Sequence, residues 1–388
     1  MGHTFVNIVN STKLAVGYTT STDKMGRESL VVVAKGTYAF PTSADQAPRL
    51  TEEQEPLVMT DIFTGEPGLS APRYENDFAP VKRRCDVLIN GSCYAPGGVP
   101  ATRVPVGVRV GSITKTFNVV GHRIFERGPL SCEPGEPRPF TVLPIGYDNA
   151  FGGVDTTNAN QSKHQWYLQN PAGKGYHPGA SASEVDGRSL PNTEEFDKPV
   201  TRPDGDYRPM AFGPLGRSWQ PRLKWAGTFD DKWLDEQFPF LPQDFDTQYF
   251  QCAPEDQQID FPSGGEDVVL MHLTASGRTS FRLPPTLGLP FLFVSRTGSV
   301  AEVSGVVDTI CIEPDKARFA LAWRVSMPLR RNIREVREVI VGKTAYQLEH
   351  ERTRAERMHG KRRFNSLTEL VAWSQAQRRM HEAHDEVD

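Results

Sequence analysis

Long apolar runs are missing from this chain of 388 residues. The longest, at residues 30–34 and 289–294, are far shorter than the roughly 20 apolar residues that a membrane-spanning helix needs. Residues 1–10 lack both the basic segment and the long apolar segment of a secretory signal. The sequence therefore predicts a cytoplasmic protein without membrane insertion.

Cysteine is scarce, and no Cys-x-x-Cys pair occurs, so neither a zinc knuckle nor a thioredoxin-like redox site is indicated. An odd number of widely scattered thiols favours buried free cysteines, because Cys packs as a small apolar residue. The five positions are Cys85, Cys93, Cys132, Cys252 and Cys311.

The common catalytic motifs are also absent: there is no Gly-x-Ser-x-Gly elbow, no Walker A loop and no His-Glu-x-x-His pair. The Gly-Lys-Gly run at 173–175 begins like a dinucleotide fingerprint, but Pro178 stands where the third glycine belongs. His381 and His384 lie one helical turn apart without a third ligand cluster. We therefore expect no cofactor, no metal and no catalytic residues.

Charge excludes one class of partner. The chain has 44 basic and 48 acidic side chains, a net charge of -4, and neither the region up to Pro328 nor the rest is strongly basic. A nucleic-acid binder usually carries a basic patch that neutralises phosphates. We therefore expect no nucleic-acid partner.

What the chain has in excess is turn residues, with 33 glycines and 31 prolines. No proline follows Pro328, which separates a body, residues 1–328, from a tail, residues 329–388. Many turns between short strands are typical of all-β architectures. The body is predicted to be mainly β (α+β overall), with antiparallel sheets forming a sandwich- or barrel-like fold.

Alternating apolar residues predict several strands and two tight hairpins. One hairpin joins 103–110 to 113–120 through Gly111-Ser112. The other joins 307–313 to 318–325 across residues 314–316. In its second strand, Phe319, Leu321, Trp323 and Val325 alternate with polar or small residues, as one buried face requires. The predicted strands are 30–40, 103–110, 113–120, 267–273, 278–283, 307–313 and 318–325.

Residues 146–262 form a long insert with few alternating runs but many aromatic, glycine and proline residues. Its aromatic content argues against disorder, and a structureless loop of this length is improbable in a compact domain. We interpret it as irregular but ordered structure, in which Asn, Asp and Arg side chains satisfy the backbone.

The tail is predicted to be helical. Within 331–350, Ile333, Val336, Val339 and Ile340 recur at helical spacing, and the capping box at 366–369 begins a second helix that contains Trp373. Two alternatives remain open from the sequence: the helix pair packs on its own body, or it docks onto a partner.

An acidic and aromatic stretch at 217–257 carries the most suggestive composition. Six aspartates lie between 230 and 256, near Trp219, Trp225 and Trp233, and paired carboxylates beside aromatics are typical of glycosidases. One interpretation is therefore a cell-wall glycan hydrolase that uses a pair of these aspartates, such as Asp244 and Asp246. Aspartates near glycine and proline also cap turns, which gives the alternative structural interpretation.

Short motifs in a fixed order along the body resemble the bacterial domain-of-unknown-function family 2169, found as adaptors in type VI secretion gene clusters. In chain order these motifs are Lys35-Gly36-Thr37-Tyr38, Phe78-Ala79-Pro80-Val81-Lys82, Asp86-Val87, Gly91, Tyr94-Ala95-Pro96-Gly97, Gly121-His122-Arg123, Ala150-Phe151-Gly152-Gly153, Asn170-Pro171-Ala172-Gly173-Lys174-Gly175, Leu190-Pro191-Asn192-Thr193-Glu194, Phe212-Gly213-Pro214, Trp219 with Arg222, Gly227-Thr228-Phe229-Asp230 with Trp233, Pro242-Gln243-Asp244-Phe245-Asp246, Ala253-Pro254-Glu255-Asp256-Gln257 and Gly264-Gly265-Glu266.

The resemblance implies a non-enzymatic adaptor or chaperone. Such a protein binds a type VI secretion effector, with its PAAR or PAAR-like domain, and assists its loading onto the VgrG spike. Aromatic and Arg anchors dominate protein interfaces, so we expect the partner surface in the 217–257 stretch and the tail. The candidate partner-binding residues are Arg123, Arg217, Trp219, Arg222, Trp233, Asp244, Asp246, Gln257 and Trp373.

Overall fold

A computed structural model describes residues 6–43, 46–128 and 131–351. The protein is mainly β, as the sequence predicts. In this part of the chain the strands are β1 (Asn7–Asn10), β2 (Ala15–Thr22), β3 (Glu28–Ala39), β4 (Arg49–Leu50), β5 (Ile62–Phe63), β6 (Pro72–Tyr74), β7 (Cys85–Ile89), β8 (Gly91–Tyr94), β9 (Arg103–Val110), β10 (Ile113–Val120), β11 (Phe125–Arg127), β12 (Cys132–Pro134), β13 (Val142–Ile145), β14 (Phe151–Gly152), β15 (Val154–Asp155), β16 (Gln165–Trp166), β17 (Lys174–Gly175), β18 (Thr193–Glu194), β19 (Gln258–Ile259), β20 (Asp267–Met271), β21 (Arg278–Arg282), β22 (Leu289–Ser295), β23 (Val300–Glu313), β24 (Arg318–Pro328) and β25 (Val336–Val341).

Helices are short within the described residues. The α-helices are α1 (Ala182–Val185), α2 (Gln220–Leu223), α3 (Asp231–Glu236) and α4 (345–351). Single 3₁₀ turns lie at Pro96–Gly98, Tyr147–Asn149, Gln161–Lys163, Thr247–Phe250, Glu255–Gln257, Pro314–Lys316 and Ile333–Glu335.

The main sheet has ten strands and is nearly closed into a barrel. Its central path runs β1-β25-β22-β23-β24-β3-β2, with β7 and β19 attached beside β23 and β4 beside β3. Neighbours are antiparallel except for two parallel pairs, β1 with β25 and β7 with β23. The parallel strand β7 anchors part of the irregular middle region through Asp86.

A second sheet of five strands has the order β18-β10-β9-β20-β21. The predicted hairpin of β9 and β10 is confirmed, with Val110 opposite Ile113 across the turn. Gly111 takes a φ of 54°, a left-handed conformation that glycine adopts without strain.

One hydrophobic core lies between the two sheets. The side chains of β24 alternate as predicted, and Phe319, Leu321, Trp323 and Val325 all belong to this core. The second sheet contributes its own apolar face, which includes the fully buried Phe117 on β10. Packing of two inner faces over a shared core is the arrangement of a β-sandwich or barrel.

The middle region is irregular but ordered, as expected. Between β13 and β20 it contains strands of two residues and helices of four to six. Buried amides satisfy its backbone: Asn170 Nδ2 donates to the carbonyls of Tyr147 (2.9 Å) and Phe151 (3.0 Å). Asn192 Nδ2 likewise donates to Val120 (3.0 Å), which fastens the region to β10. In this region, side-chain hydrogen bonds therefore take the place of the backbone hydrogen bonds that pair the strands of a sheet.

The helix predicted over 331–350 is wrong for its first half. β25 pairs with β22 and β1 in the main sheet, and a compact unit extends to Gly342 rather than ending at Pro328. Valine and isoleucine dominate Val336–Val341, and these β-branched side chains favour a strand when a sheet face is available to cover them. Among the described residues, tail helix begins at 345. The capping box at 366–369 and Trp373 lie outside the described residues.

All five cysteines are free thiols, and all but the partly buried Cys311 are buried, as predicted. Burial raises the pKa of Cys93 and of Cys311 to about 12 in each case. Within the described residues, no helix combines the length and the apolar character needed to cross a bilayer.

Candidate partner-binding surface

Residues 225–246, which we call the aromatic lobe, form a compact excursion built around α3. Asp230 caps this helix, accepting a 2.8 Å hydrogen bond from the Trp233 amide. The Trp233 ring packs edge-on against Phe229 (4.8 Å between centroids) and Phe238 (5.7 Å). Its indole Nε1 donates to the Phe240 carbonyl (2.9 Å), so the tryptophan joins the residues before and after α3. The two ends of the lobe are joined by the Asp246 amide, which donates to the Trp225 carbonyl (3.0 Å).

The lobe presents large apolar side chains to solvent. Phe229 and Leu234 are each 56% exposed, Phe238 is 62% exposed and Phe240 is 40% exposed. A scattered exposed apolar residue is ordinary, but a contiguous group on one segment marks an interaction site. These four are among the five large apolar side chains exposed in the 217–257 stretch, and the fifth is Leu223.

The turn between β2 and β3 holds the lobe in place. Lys24 Nζ donates to the Gln243 carbonyl (2.7 Å), and Gln237 Nε2 donates to the Lys24 carbonyl (2.7 Å). Gly26, with a φ of 76°, lies against the Phe240 ring, and a β-carbon there would be 2.9 Å from Phe240 Cζ. Because Lys24 and Gly26 both contact the lobe, the exposed aromatics are held on a rigid support.

Arg222, at the base of the lobe, is a buried structural residue. Its side chain is 2% exposed and donates to Leu215 (3.0 Å) and Tyr249 (2.8 Å) carbonyls and to Glu75 Oε1 (2.7 Å). It also lies over the Tyr249 ring. An arginine with its donors satisfied inside the protein cannot contact a partner, so this predicted site residue supports the surface instead.

Arg217 belongs to the same ion cluster. It contacts Asp61 through Nε (2.7 Å) and Nη2 (3.1 Å), and Nη2 also lies 2.7 Å from Glu75 Oε1. Burial would raise the pKa of Glu75, but the charges of Arg222 and Arg217 outweigh it and hold the pKa below its usual value. The cluster therefore joins the 55–77 segment to the 215–222 segment through a network of charged hydrogen bonds.

Trp219 and Gln257 are also buried. Trp219 immediately precedes α2 and packs edge-on against Tyr147, with 5.3 Å between ring centroids. Gln257 has no exposed surface; its Nε2 donates to the Val87 and Phe212 carbonyls (2.8 Å each) while its Oε1 accepts from Lys115 Nζ (2.7 Å). Both side chains stabilise the region beneath the lobe.

Asp86 on β7 is a structural centre that the sequence did not reveal. Its two oxygens accept from Lys82 Nζ (2.7 Å), Gln251 Nε2 (2.8 Å) and the amides of Cys252 (3.0 Å) and Ala253 (3.2 Å). Three of these donors, on Gln251, Cys252 and Ala253, belong to the chain that leaves the lobe, so one buried carboxylate anchors this chain to the main sheet. The nearest sequence signal was Asp86-Val87 in the motif series, an acidic residue inside an otherwise apolar strand.

The aspartates considered for hydrolysis stabilise turns. Asp244 Oδ1 accepts from the Thr228 amide (3.0 Å) and Oδ2 from the Thr228 hydroxyl (2.8 Å), and these bonds lower the pKa of Asp244. Asp246 accepts from the Gln248 amide (2.7 Å) and pairs with Arg83 (3.0 Å). A glycosidase acid needs a raised pKa, so Asp244 has the environment of a capping residue.

Two candidate residues are not brought to this surface within the described structure. Arg123 is buried after β10 and pairs with Glu194, which also lies 2.6 Å from Arg103 Nη1; none of its described contacts reaches residues 217–257. Trp373 lies outside the described residues. Of the nine candidates, the lobe itself contains Trp233, Asp244 and Asp246.

A cavity of about 310 Å³ lies over the outer face of the main sheet, partly under the 55–77 segment. Charged residues line it in pairs, including Lys35 with Asp77 (2.7 Å) and Arg318 with Glu313 (2.7 Å). Lys35 with Asp77 fastens the covering segment to β3, and Arg318 also pairs with Glu55, which fastens that segment to β24. Among the described residues, no three His, Cys, Asp or Glu side chains converge as metal ligands would.

The exposed residues Leu234, Phe238 and Phe240 were missed at the sequence level, and Phe229 was noted only as part of a motif. Their spacing follows neither a helix nor a strand, so periodicity could not indicate which of them face solvent. The available signal was composition. Five aromatic residues occur in 225–240 and six acidic residues in 230–246, while the lobe contains only one lysine.

Comparison with known proteins gives one match. The model of the family described as "Uncharacterized protein conserved in bacteria (DUF2169)" matches residues 25–324. This range includes the lobe, the ion cluster beneath it and most of the main sheet. No curated protein and no solved structure matches the chain.

Proposed function

We propose an adaptor function for this chain, which belongs to the bacterial family DUF2169. In this proposal it is a non-enzymatic cytoplasmic chaperone that binds a type VI secretion effector and assists its loading onto the VgrG spike. The exposed apolar group of the aromatic lobe is the observation that carries the binding function. The secretion context comes from the resemblance of the motif series.

The lobe suits protein binding for a physical reason. Aromatic side chains contribute much of the binding energy of interfaces because they bury large areas at little entropic cost. Here they are already ordered by the edge-on contacts of Trp233 and by the contacts with Lys24 and Gly26. A surface that is ordered before binding loses less conformational freedom when the partner arrives.

The partner in this proposal is the effector together with its PAAR or PAAR-like domain. To cover exposed effector surface in the cytoplasm and release it at the spike, the protein needs reversible non-covalent binding and no catalysis. The turn-stabilising contacts of Asp244 and Asp246 fit this function, and no observation favours the glycan hydrolase. Replacing both with Asn tests that alternative through glycan-hydrolase activity.

Co-expression with the effector encoded beside its gene is the direct experiment. We expect a stable complex on co-purification and a higher yield of intact effector than without the adaptor. The double variant Phe229→Ser, Phe238→Ser should lose the complex while keeping its folded circular dichroism spectrum. Met59→Ser, Leu69→Ser is the matched control, since these side chains are 65% and 64% exposed outside the lobe.

The outcomes separate clearly. Loss of the complex in both double variants would mean that general apolar surface, and not the lobe, is responsible. Absence of a complex and of any gain in yield, with every effector encoded nearby, would contradict the adaptor function itself.

A further inference from the structure

The aromatic lobe is strongly acidic. Residues 225–246 contain six Asp or Glu residues and a single basic residue, Lys232. Asp230, Asp244 and Asp246 use their carboxylates to hold turns. The other three, Asp231, Asp235 and Glu236, are exposed on α3 and take part in no ion pair among the described residues.

These three carboxylates lie on the same short helix as Trp233 and Leu234. Apolar and acidic groups therefore share one surface, with Phe229 and Phe238 packed around the Trp233 ring. Like charges that no cation of the fold neutralises repel one another, and a cation brought by a partner would relieve this repulsion. Lys232 offsets only part of the charge.

The backbone of the lobe narrows the kind of partner further. All residues of 225–246 are described, and none belongs to a strand. A partner strand therefore has no edge in the lobe with which to form a ladder, and recognition must use side chains. A helix presents an apolar stripe with flanking charges on one face, which is the matching geometry.

We propose that the aromatic lobe binds a cationic amphipathic helix of the partner, with an apolar stripe on the exposed aromatics and Lys or Arg opposite Asp231, Asp235 and Glu236. This inference rests on the proposed adaptor function, because the helix would belong to the effector. The apolar stripe supplies most of the affinity, and the charges set orientation and association rate.

Two synthetic helical peptides of about 18 residues, roughly five turns, test the proposal on the full-length protein. Both carry Leu and Phe on one face; the polar face is Lys and Arg in one and Glu in the other. Titration followed by Trp fluorescence and by calorimetry should show binding of the cationic peptide at least about tenfold tighter than the acidic one. The difference should shrink as salt rises from about 50 to about 500 mM.

Two triple variants separate specific binding from general attraction to a net acidic protein. D231N/D235N/E236Q should weaken the cationic peptide at least about fivefold. E52Q/E53Q/E66Q changes the net charge equally, at exposed positions outside the lobe, and should leave affinity unchanged. Equal binding of both peptides, binding of neither, or equal loss in both variants overturns the proposal.

Co-purification with the effector distinguishes this inference from the proposed function. A complex that forms with the unmodified protein and equally well with D231N/D235N/E236Q overturns the charge-based inference and leaves the adaptor function standing. If the cationic peptide binds but no effector complex forms, the adaptor function is contradicted while the preference of the lobe for a cationic helix stands.

Discussion

Arg222 Nη2 donates a 2.7 Å hydrogen bond to Glu75 Oε1 across 147 residues of sequence, and neither side chain is more than 6% exposed. The bond joins the segment that covers the main sheet to the helix that precedes the aromatic lobe. A buried pair of this kind fixes the relative position of two segments that contain little regular structure. It therefore determines where the lobe begins.

Removing this arginine should be costly. Arg222→Met leaves Glu75 buried with Arg217 as its remaining ion-pair partner, and breaking a buried pair typically costs about 3–5 kcal/mol. We expect a loss of this size in the free energy of unfolding, measured by urea denaturation. The control Arg202→Met breaks an exposed pair with Asp204 and should cost less than about 1 kcal/mol.

A double variant tests whether the pair is responsible. Because Arg222→Met, Glu75→Gln removes both charges, it should lose less stability than the sum of the two single variants. Strict additivity would mean that Arg222 stabilises the protein through its carbonyl contacts alone.

Acid should destabilise the protein through the same cluster. Glu75 and Asp61 have pKa values held below their usual range in the folded state. In the unfolded chain they recover ordinary values of about 4.3 and 3.9, so the unfolded state binds more protons as the pH falls. The stability from these groups is complete above the unfolded pKa and is lost as the pH falls through the folded pKa.

The urea midpoint should therefore fall between about pH 5 and pH 3. Glu75→Gln removes one of the titrating groups, so its midpoint should fall less steeply over this interval, although it starts lower. Glu52→Gln changes an exposed carboxylate for which no hydrogen bond or ion pair is described, and should keep the original slope. Parallel curves for all three proteins would show that Glu75 does not contribute to the acid response.

The contact between Gly26 and Phe240 predicts a selective effect on binding. Gly26→Ala places a β-carbon 2.9 Å from Phe240 Cζ at a φ of 76°, so the exposed ring must move. Gly298→Ala has a similar φ of 89° but open space around the new β-carbon. Both should lose roughly 1–2 kcal/mol from the left-handed backbone. Only Gly26→Ala should also weaken the effector complex, as measured by co-purification yield.

Local patterns in the sequence were sufficient to predict β3, β9, β10, β20, β21, β24 and the second half of β23, but not β1, β2, β7, β22 or β25. The alternation of Phe319, Leu321, Trp323 and Val325 identified a buried face because a strand repeats every two residues. The same reasoning failed for Val336 and Val339, whose spacing also fits a helix. The neighbouring strands β1 and β22, distant in sequence, determine that this segment is a strand.

The sequence drew attention to one stretch but could not separate its buried residues from its exposed ones. Composition pointed to 217–257, and the structure places both the ion cluster and the exposed aromatics there. It could not distinguish buried Arg222 from exposed Phe238, because burial in an irregular region depends on contacts such as Glu75 with Arg222 that join remote segments. From the sequence alone, a tryptophan or an arginine in such a region can equally well be an interface anchor or a buried structural residue.

Cys252 should report on the anchoring of the lobe to the main sheet. Its thiol is buried beside Asp86, and burial raises the pKa of Cys252 well above its usual value, so the native thiol should resist alkylation. Asp86→Asn removes the negative charge that faces Lys82 and places an amide among four donors. The chain after the lobe should then open locally, and Cys252 should be alkylated at least about tenfold faster.

Mass spectrometry of iodoacetamide-treated protein measures this opening residue by residue. Cys93 is the internal control, since it is fully buried on β8 and none of its described contacts involves Asp86. Equal acceleration at both cysteines would show global unfolding instead of local release. An unchanged rate at Cys252 would mean that Gln251, Gln257 and the surrounding packing hold the segment without Asp86. Selective labelling of Cys252 would establish that one carboxylate on β7 couples the lobe's support to the sheet.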